Sequence, residues 1–284
     1  MEKLYLSDLD KTLLRSDLSI SGYTAGIWNE VVKRGGRLSV ATARSYTGVK
    51  KLLEKLDLEE PLILLDGVMI VSPDGEIVHV EALGRQEAAE IMNVCSNLTG
   101  SNPLLVGLED DGGESFVYPR SPNEYQKELL RSFHNDRRVL DADSYGPMDR
   151  NLKMVYMEDE ETTALLEREL KALFSDTIEI KRSADPYIDC WFMTVMHKGG
   201  DKAHALRRLE EMEGVEMKHT TVFGDSHNDI GLFEAAGRRV AVANAIEEIK
   251  SIADVVLPHT NDEDAVAKFL ADEFDIARSA PQVP

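Results

Sequence analysis

Leu4-Tyr5-Leu6-Ser7-Asp8-Leu9-Asp10-Lys11-Thr12 is a short apolar run that breaks off at two carboxylates spaced by one residue. A run of this length closed by polar residues suits a buried strand of a parallel sheet better than a helix. In open α/β sheets ligands collect beyond the carboxyl ends of strands, which puts Asp8 and Asp10 where a substrate arrives. If residues 8–10 leave the strand as a loop, the two side chains converge on one small volume, one acting as nucleophile and the other as acid and base. Carboxylates so close repel each other, and a hard divalent cation is the usual way to keep both ionised, which predicts magnesium. Taken alone, Asp-x-Asp-x-Thr is also ordinary turn chemistry, so the surrounding chain must decide.

Outward from this stretch, strands and helices alternate. Ser21 or Thr24 opens a helix carrying Ile27, Trp28, Val31 and Val32 on one face, stopped by Gly35-Gly36. A strand over 37–41 ends in Thr42-Ala43-Arg44-Ser45, and Val49, Leu52, Leu53 and Leu56 follow at helical spacing. A third strand, 62–65, ends at Asp66-Gly67, and runs at 68–71 and 77–80 flank the hairpin turn Ser72-Pro73-Asp74-Gly75. This alternation predicts a doubly wound, Rossmann-like parallel core of the α/β class. From Leu83 the order changes. Helices near 86–97, 123–133 and 161–174 are mixed with strands near 104–108, 115–118, 152–157, 177–181 and 187–196, several of them directly consecutive, which predicts an inserted α+β domain.

At His197-Lys198-Gly199-Gly200-Asp201-Lys202 the first pattern returns, with a helix bearing Ala205, Leu206, Leu209 and Met212. A strand over 220–223 then ends in Gly224-Asp225-Ser226-His227-Asn228-Asp229. A helix through Ile230 and Phe233, strands near 240–243 and 255–257, a helix over 263–274 and a frayed tail at 278–284 complete the chain. The expected division is a core of residues 1–82 and 197–284 and an insert of residues 83–196.

Composition narrows the function. Among 284 residues, 52 acidic side chains outnumber 32 basic ones, for a formal net charge of −20. Such a surface repels a phosphate backbone, and no basic patch offsets it, so nucleic acid is not expected as a partner. The start of the chain lacks a basic and then apolar leader, and no apolar run approaches the roughly 20 residues of a bilayer span. A cytoplasmic protein without membrane contact is the expectation. Cys95 and Cys190 lack Cys-x-x-Cys spacing and are expected to be reduced and structural.

Four groups share one kind of position, the carboxyl end of a core strand or the helix start beside it: Asp8 with Asp10, Thr42, Lys202, and Asp225 with Asn228 and Asp229. If the strands are neighbours, four carboxylates, a hydroxyl and an ammonium surround one pocket. That set suits phosphoryl transfer, which needs a nucleophile, a metal and donors for the equatorial oxygens.

Through Asp8-Leu9-Asp10-Lys11-Thr12-Leu13-Leu14, Ala41-Thr42-Ala43-Arg44-Ser45, Lys198-Gly199-Gly200-Asp201-Lys202 and Gly224-Asp225-Ser226-His227-Asn228-Asp229, the sequence resembles the haloacid dehalogenase superfamily and, within it, the Cof-like sugar-phosphatase group. The insert between the second and third motifs resembles that group's mixed α/β cap, which would close over the pocket and choose the leaving group. The resemblance implies that Asp8 attacks phosphorus and that Asp10 protonates the leaving alcohol and then activates water. Thr42 and Lys202 would bind the phosphoryl oxygens. Asp8, the backbone carbonyl of Asp10 and Asp225 would hold magnesium, with Asp229 and Asn228 supporting that site. Arg44, Asp66 and Asn228 are further candidates for phosphate or substrate contact.

Ala43 and Lys11 stand where the family commonly has Gly. Asp66-Gly67 stands where Asn-Gly is frequent, and an acid there favours a neutral or polyol leaving group. The expected function is a magnesium-dependent phosphatase acting on small phosphate esters of sugars or polyols, as a monomer or homodimer. A phosphomutase using the same aspartyl-phosphate, and a non-catalytic binding protein on the same fold, remain open alternatives.

Overall fold

Strand β1 (Leu4–Ser7) is buried along its whole length, as an apolar run covered on both faces requires. The computed structural model in which it lies describes residues 3–276 except 111, 134–135, 141, 186 and 215; the tail expected at 278–284 falls outside the described residues. After β1 comes α1 (Gly22–Lys33), whose N-cap is Ser21: its hydroxyl accepts from Thr24 N and so satisfies one of the unpaired amides of the first turn. Ile27, Trp28, Val31 and Val32 are its buried stripe, and the chain leaves through Gly35 at φ 79°.

Then follow β2 (Arg37–Val40), α2 (Tyr46–Lys50), β3 (Leu62–Leu64) and the hairpin strands β4 (Met69–Val71) and β5 (Ile77–Val80). The helix expected to reach Leu56 is regular only to Lys50. Beyond it Leu53 N still bonds Val49 O, but Leu56 N bonds Leu53 O, a tightening into turns that keeps Val49, Leu53 and Leu56 buried. Strand β3 touches the core sheet through one parallel bridge, Ala41 to Ile63, and its own ladder is the antiparallel set β3-β4-β5.

Residues Glu81–Gly200 form a separate compact unit. It contains α3 (Arg85–Thr99), β6 (Leu104–Leu108), β7 (Glu114–Val117), α4 (Glu124–Ser132), β8 (Asn151–Glu158), α5 (Glu160–Phe174), β9 (Ile178–Asp185) and β10 (Cys190–His197). The strands make one antiparallel sheet in the order β7-β6-β8-β10-β9. Ala88, Ile91 and Cys95 of α3 and Leu166 and Leu170 of α5 pack with Leu105, Met154, Tyr156, Met193 and Val195. Cys95 and Cys190 are buried and free. The unit is longer at both ends than residues 83–196 because β10 runs through His197 and Leu83 exchanges two backbone bonds with Asn151.

The core resumes with α6 (Lys202–Glu213), β11 (Thr220–Gly224), α7 (Ile230–Ala235), β12 (Arg238–Ala241), α8 (Glu247–Ile252), β13 (Val255–Val256) and α9 (Ala265–Glu273). Its sheet is parallel throughout, ordered β13-β12-β11-β1-β2. The order reverses at β1. Right-handed crossovers therefore carry α1 to one face and α7 and α8 to the other, leaving a crevice at the carboxyl ends of β1 and β11. Among the described residues no helix is long and apolar enough to cross a membrane.

One turn beside this crevice is strained. Leu65, Asp66 and Gly67 have φ of 53°, 65° and 112° in succession, held by Leu65 N to Arg44 O and Asp66 N to Thr42 O. Gly67 is obligatory here, since a Cβ on it would stand 2.1 Å from Asp201 O at the start of α6. Gly67→Ala is expected to lower stability by about 2–3 kcal/mol. Urea denaturation monitored by circular dichroism measures this; an unchanged midpoint would show that the turn can relax away from α6.

Candidate active site

The nine side chains singled out from the sequence all belong to the core unit. Asp8 closes β1, with its amide still bonded to Phe223 O of β11 at 3.0 Å, so the sheet register itself sets its height. Lys202 is the first residue of α6, whose N-cap Asp201 accepts from His204 N. The lysine is 1% exposed, and its Nζ donates to Asp8 Oδ1 at 2.6 Å and to Asp229 Oδ1 at 2.7 Å. Asp229, wholly buried, accepts through its other oxygen from the amides of Asp225 and Ser226 at 3.0 and 3.2 Å. A Cβ at Gly224 would stand 2.7 Å from that same oxygen, so only glycine lets the loop wrap Asp229 this closely.

Asp225 is buried and accepts from Thr12 Oγ1 at 3.1 Å. Thr12 was present in the first motif without an assigned role, and the long-range bond to Asp225 supplies one. One oxygen each from Asp8, Asp225 and Asp229 lies within 4.8 Å of the others. Asp10 is not in that group. Its carboxylate is turned outward and held by both oxygens, Arg44 Nε to Oδ2 at 2.8 Å and Nη2 to Oδ1 at 2.6 Å. Arg44, a candidate for substrate contact, thus meets Asp10 in this structure.

Thr42 is fully buried at the end of β2; its hydroxyl accepts from Arg44 N at 3.2 Å, so the O–H hydrogen remains to donate. Asp66, on the strained turn, receives a long 3.4 Å bond from Asn228 Nδ2, and Asn228 Oδ1 accepts from Ser226 Oγ at 2.7 Å. His227 is exposed beside Glu248. In the inserted unit, Trp191 stacks under Arg182 and Asp185 caps the amides of Tyr187 and Ile188, leaving Tyr187 92% exposed at the hairpin tip.

The electrostatics follow from crowding acids in a buried place. Burial pushes the Asp8 carboxyl well up, Lys202 opposes it, and the charges of Asp229 and Asp225 add to the rise. Burial alone pulls the Lys202 ammonium down, but Asp229, Asp8 and Asp66 outweigh it and drive the value up. Asp225 is raised to about 6 by burial and by Asp229, against the hydrogen bond from Thr12 and the charges of Lys11 and Lys202. Three buried carboxylates thus face one buried ammonium, a surplus of negative charge that a dication would balance. Among the described residues Asp8 and Asp225 each use one carboxylate oxygen in these bonds and keep the other for a ligand. An all-oxygen donor set of this kind fits a hard cation such as Mg2+.

Comparison with known proteins bears on the same residues. The haloacid dehalogenase-like hydrolase family matches residues 5–270. The 5-amino-6-(5-phospho-D-ribitylamino)uracil phosphatase YitU of Bacillus subtilis is 25% identical over 273 residues, spanning 95% of this chain and 96% of its own length. The HMP-PP phosphatase of Yersinia enterocolitica is 27% identical over 251 residues, 88% of this chain and 87% of its own. The crystal structure of a haloacid dehalogenase-like hydrolase from Bacteroides thetaiotaomicron is similar at a TM-score of 0.76, with 25% identity across 96% of this chain and 100% of that one. Since the family match runs from β1 into α9 and takes in every buried acid of the crevice, the chain belongs to the haloacid dehalogenase-like hydrolases and is a phosphatase of that family.

Proposed function

We propose that the protein is a Mg2+-dependent phosphatase that hydrolyses sugar or polyol phosphates through an aspartyl-phosphate on Asp8. The observation that carries this is the buried Asp8–Lys202–Asp229 chain at the switch point of the sheet. Lys202 fixes one oxygen of Asp8, so the carboxylate is oriented before substrate arrives and little reorganisation is needed at attack. The Asp8 carboxylate forms the bond to phosphorus while the bond to the leaving oxygen breaks. Asp10 delivers a proton to that oxygen and, in the second half, takes one from the water that releases phosphate. Thr42 and Lys202 donate to the transferring phosphoryl oxygens. Asp8, the Asp10 carbonyl and Asp225 would hold the cation beside Asp229, and when bound it would neutralise phosphoryl charge that these acids otherwise repel.

Two features support the substrate class. Asp66 adds a carboxylate close to Lys202, which disfavours a second anion on the leaving group. The relative named for a 5-phospho-D-ribitylamino substrate takes its phosphate from a polyol chain.

The deciding experiment is inorganic phosphate release from a panel of sugar, polyol, nucleotide and cofactor phosphates, with Mg2+ and with excess chelator. Metal-dependent release from sugar or polyol esters is expected, and Asp8→Asn should lower kcat at least about 1,000-fold with the circular dichroism spectrum unchanged. Retained turnover in Asp8→Asn would sink the covalent mechanism, and isomerised sugar phosphate without phosphate release would make the protein a mutase.

A second prediction concerns the metal-free chain. Asp225 is pushed to about 6 when folded, against 3.8 for an unperturbed carboxyl. A raised folded-state value means that the folded chain holds this proton more tightly, so ionising Asp225 costs stability above about pH 6, and the cost vanishes below about pH 4. In chelator, Asp225→Asn, which keeps an acceptor for Thr12, is expected to exceed wild type by on the order of 2 kcal/mol at neutral pH and to match it near pH 4. Denaturation midpoints across pH measure the difference, and a gap that does not close in acid would rule out Asp225 as its source.

A further inference from the structure

The turn that follows β12 ties together the two loops that carry the buried acids. Ile246 N donates to Asp225 O at 2.9 Å, on the loop after β11. Two residues earlier, Asn244 Nδ2 donates to Lys11 O at 2.7 Å, on the loop after β1. The amide of Asn244 is anchored from behind: its Oδ1 accepts from Asn261 N at 2.9 Å, and buried Asn261 in turn donates through Nδ2 to Leu14 O at 2.9 Å. The loop between Asp10 and Leu14 is therefore gripped at both ends by one asparagine pair.

The point gripped is the one at which the loop is least at ease. Lys11 lies in the left-handed region, φ 59° and ψ 11°, which an L residue with a side chain adopts at a cost. That conformation turns the chain between Asp10, whose carboxylate meets Arg44, and Thr12, whose hydroxyl reaches Asp225 Oδ1 at 3.1 Å. The bond from Asn244 to the Lys11 carbonyl is made with the residue in this left-handed conformation. Thr12, the next residue of the wide turn Leu9–Leu13, carries the bond that joins this loop to Asp225.

We infer that Asn244 is a positioning residue for the divalent-cation site. Acting through the backbone of Lys11, it sets the spacing between the Asp8–Asp10 loop and Asp225. The inference rests on the cation-dependent function proposed above, and among the described residues the side chain of Asn244 bonds Lys11 O and Asn261 N rather than any of the acids. Nothing in the four sequence motifs points to it, because it lies fifteen residues beyond Asp229 in the chain and becomes relevant only when β12 is laid beside β11.

The test is direct binding of Mn2+, standing in for Mg2+, measured by electron paramagnetic resonance without substrate. Wild type, Asn244→Ala and Asn244→Asp are compared, with urea midpoints taken in parallel. Both variants are expected to bind Mn2+ about tenfold more weakly, the range in which outer partners of metal ligands act. Asn244→Asp is the sharper of the two. A carboxylate keeps the acceptor toward Asn261 N, cannot donate to Lys11 O, and carries a charge that by itself would strengthen cation binding. Weakened binding in Asn244→Asp, at a midpoint near wild type, supports positioning through the Lys11 carbonyl. Wild-type affinity in either variant overturns it, as does a loss confined to Asn244→Ala, which would mean that only the Asn261 side matters. A wild type that binds no Mn2+ overturns this inference together with the cation-dependent function, whereas variants that alone bind normally leave that function standing.

Discussion

The ammonium of Lys202, buried between Asp8 and Asp229, is the constraint on which the rest of the core depends. A buried lysine is tolerable only if its charge is met at hydrogen-bond distance, and two carboxylates, Asp8 at the end of β1 and Asp229 on the loop between β11 and α7, meet that condition. To bring them there, β1 and β11 must be adjacent and in register, α6 must begin at the mouth of the crevice, and the loop after β11 must fold back on Asp229. Glycines at 67 and 224 permit two close approaches beside the site, one against the start of α6 and one against Asp229 itself. The ion triad is thus a folding restraint as well as a chemical device.

The same crowding makes the site costly to hold without a cation. Three buried acids against one ammonium leave charge unmet; burial pushes Asp8 and Asp225 upward, and the neighbouring carboxylates add to the rise. Two neighbouring loops add backbone strain, at Lys11 and at Leu65-Asp66. Such concentrations of strain and unbalanced charge are typical where a structure is arranged for a ligand rather than for its own stability. The exterior of the sheet shows the opposite: ion pairs such as Arg239 with Asp254 are exposed, local and replaceable.

Asp10 and Arg44, both candidates for the reacting pocket, are each other's partners in this structure. Both stand in motifs at strand ends, and each was expected near substrate; in the structure they hold each other, with the carboxylate of Asp10 outside the buried cluster. The pair is part-exposed, so it can open at modest cost when a ligand competes for either partner. A wholly buried pair such as Lys202 with Asp229 has no such freedom.

Local chemistry in the chain determined a good deal by itself. Apolar runs of four or five residues that stop at acids mark buried parallel strands and place those acids at strand ends; Ser21, Asp201 and the glycine pairs mark where helices start and stop; the switch to consecutive strands marks the insert. Those signals are local, because hydrophobic periodicity and capping depend on neighbours a few residues away. The order of the strands, the choice of Asp229 rather than Asp10 as the second partner of Lys202, the bond from Thr12 to Asp225 and the grip of Asn244 on Lys11 were settled only in three dimensions. Each joins residues far apart in the chain, and which of several acids wins a buried cation depends on distances of a few tenths of an ångström that no local pattern encodes.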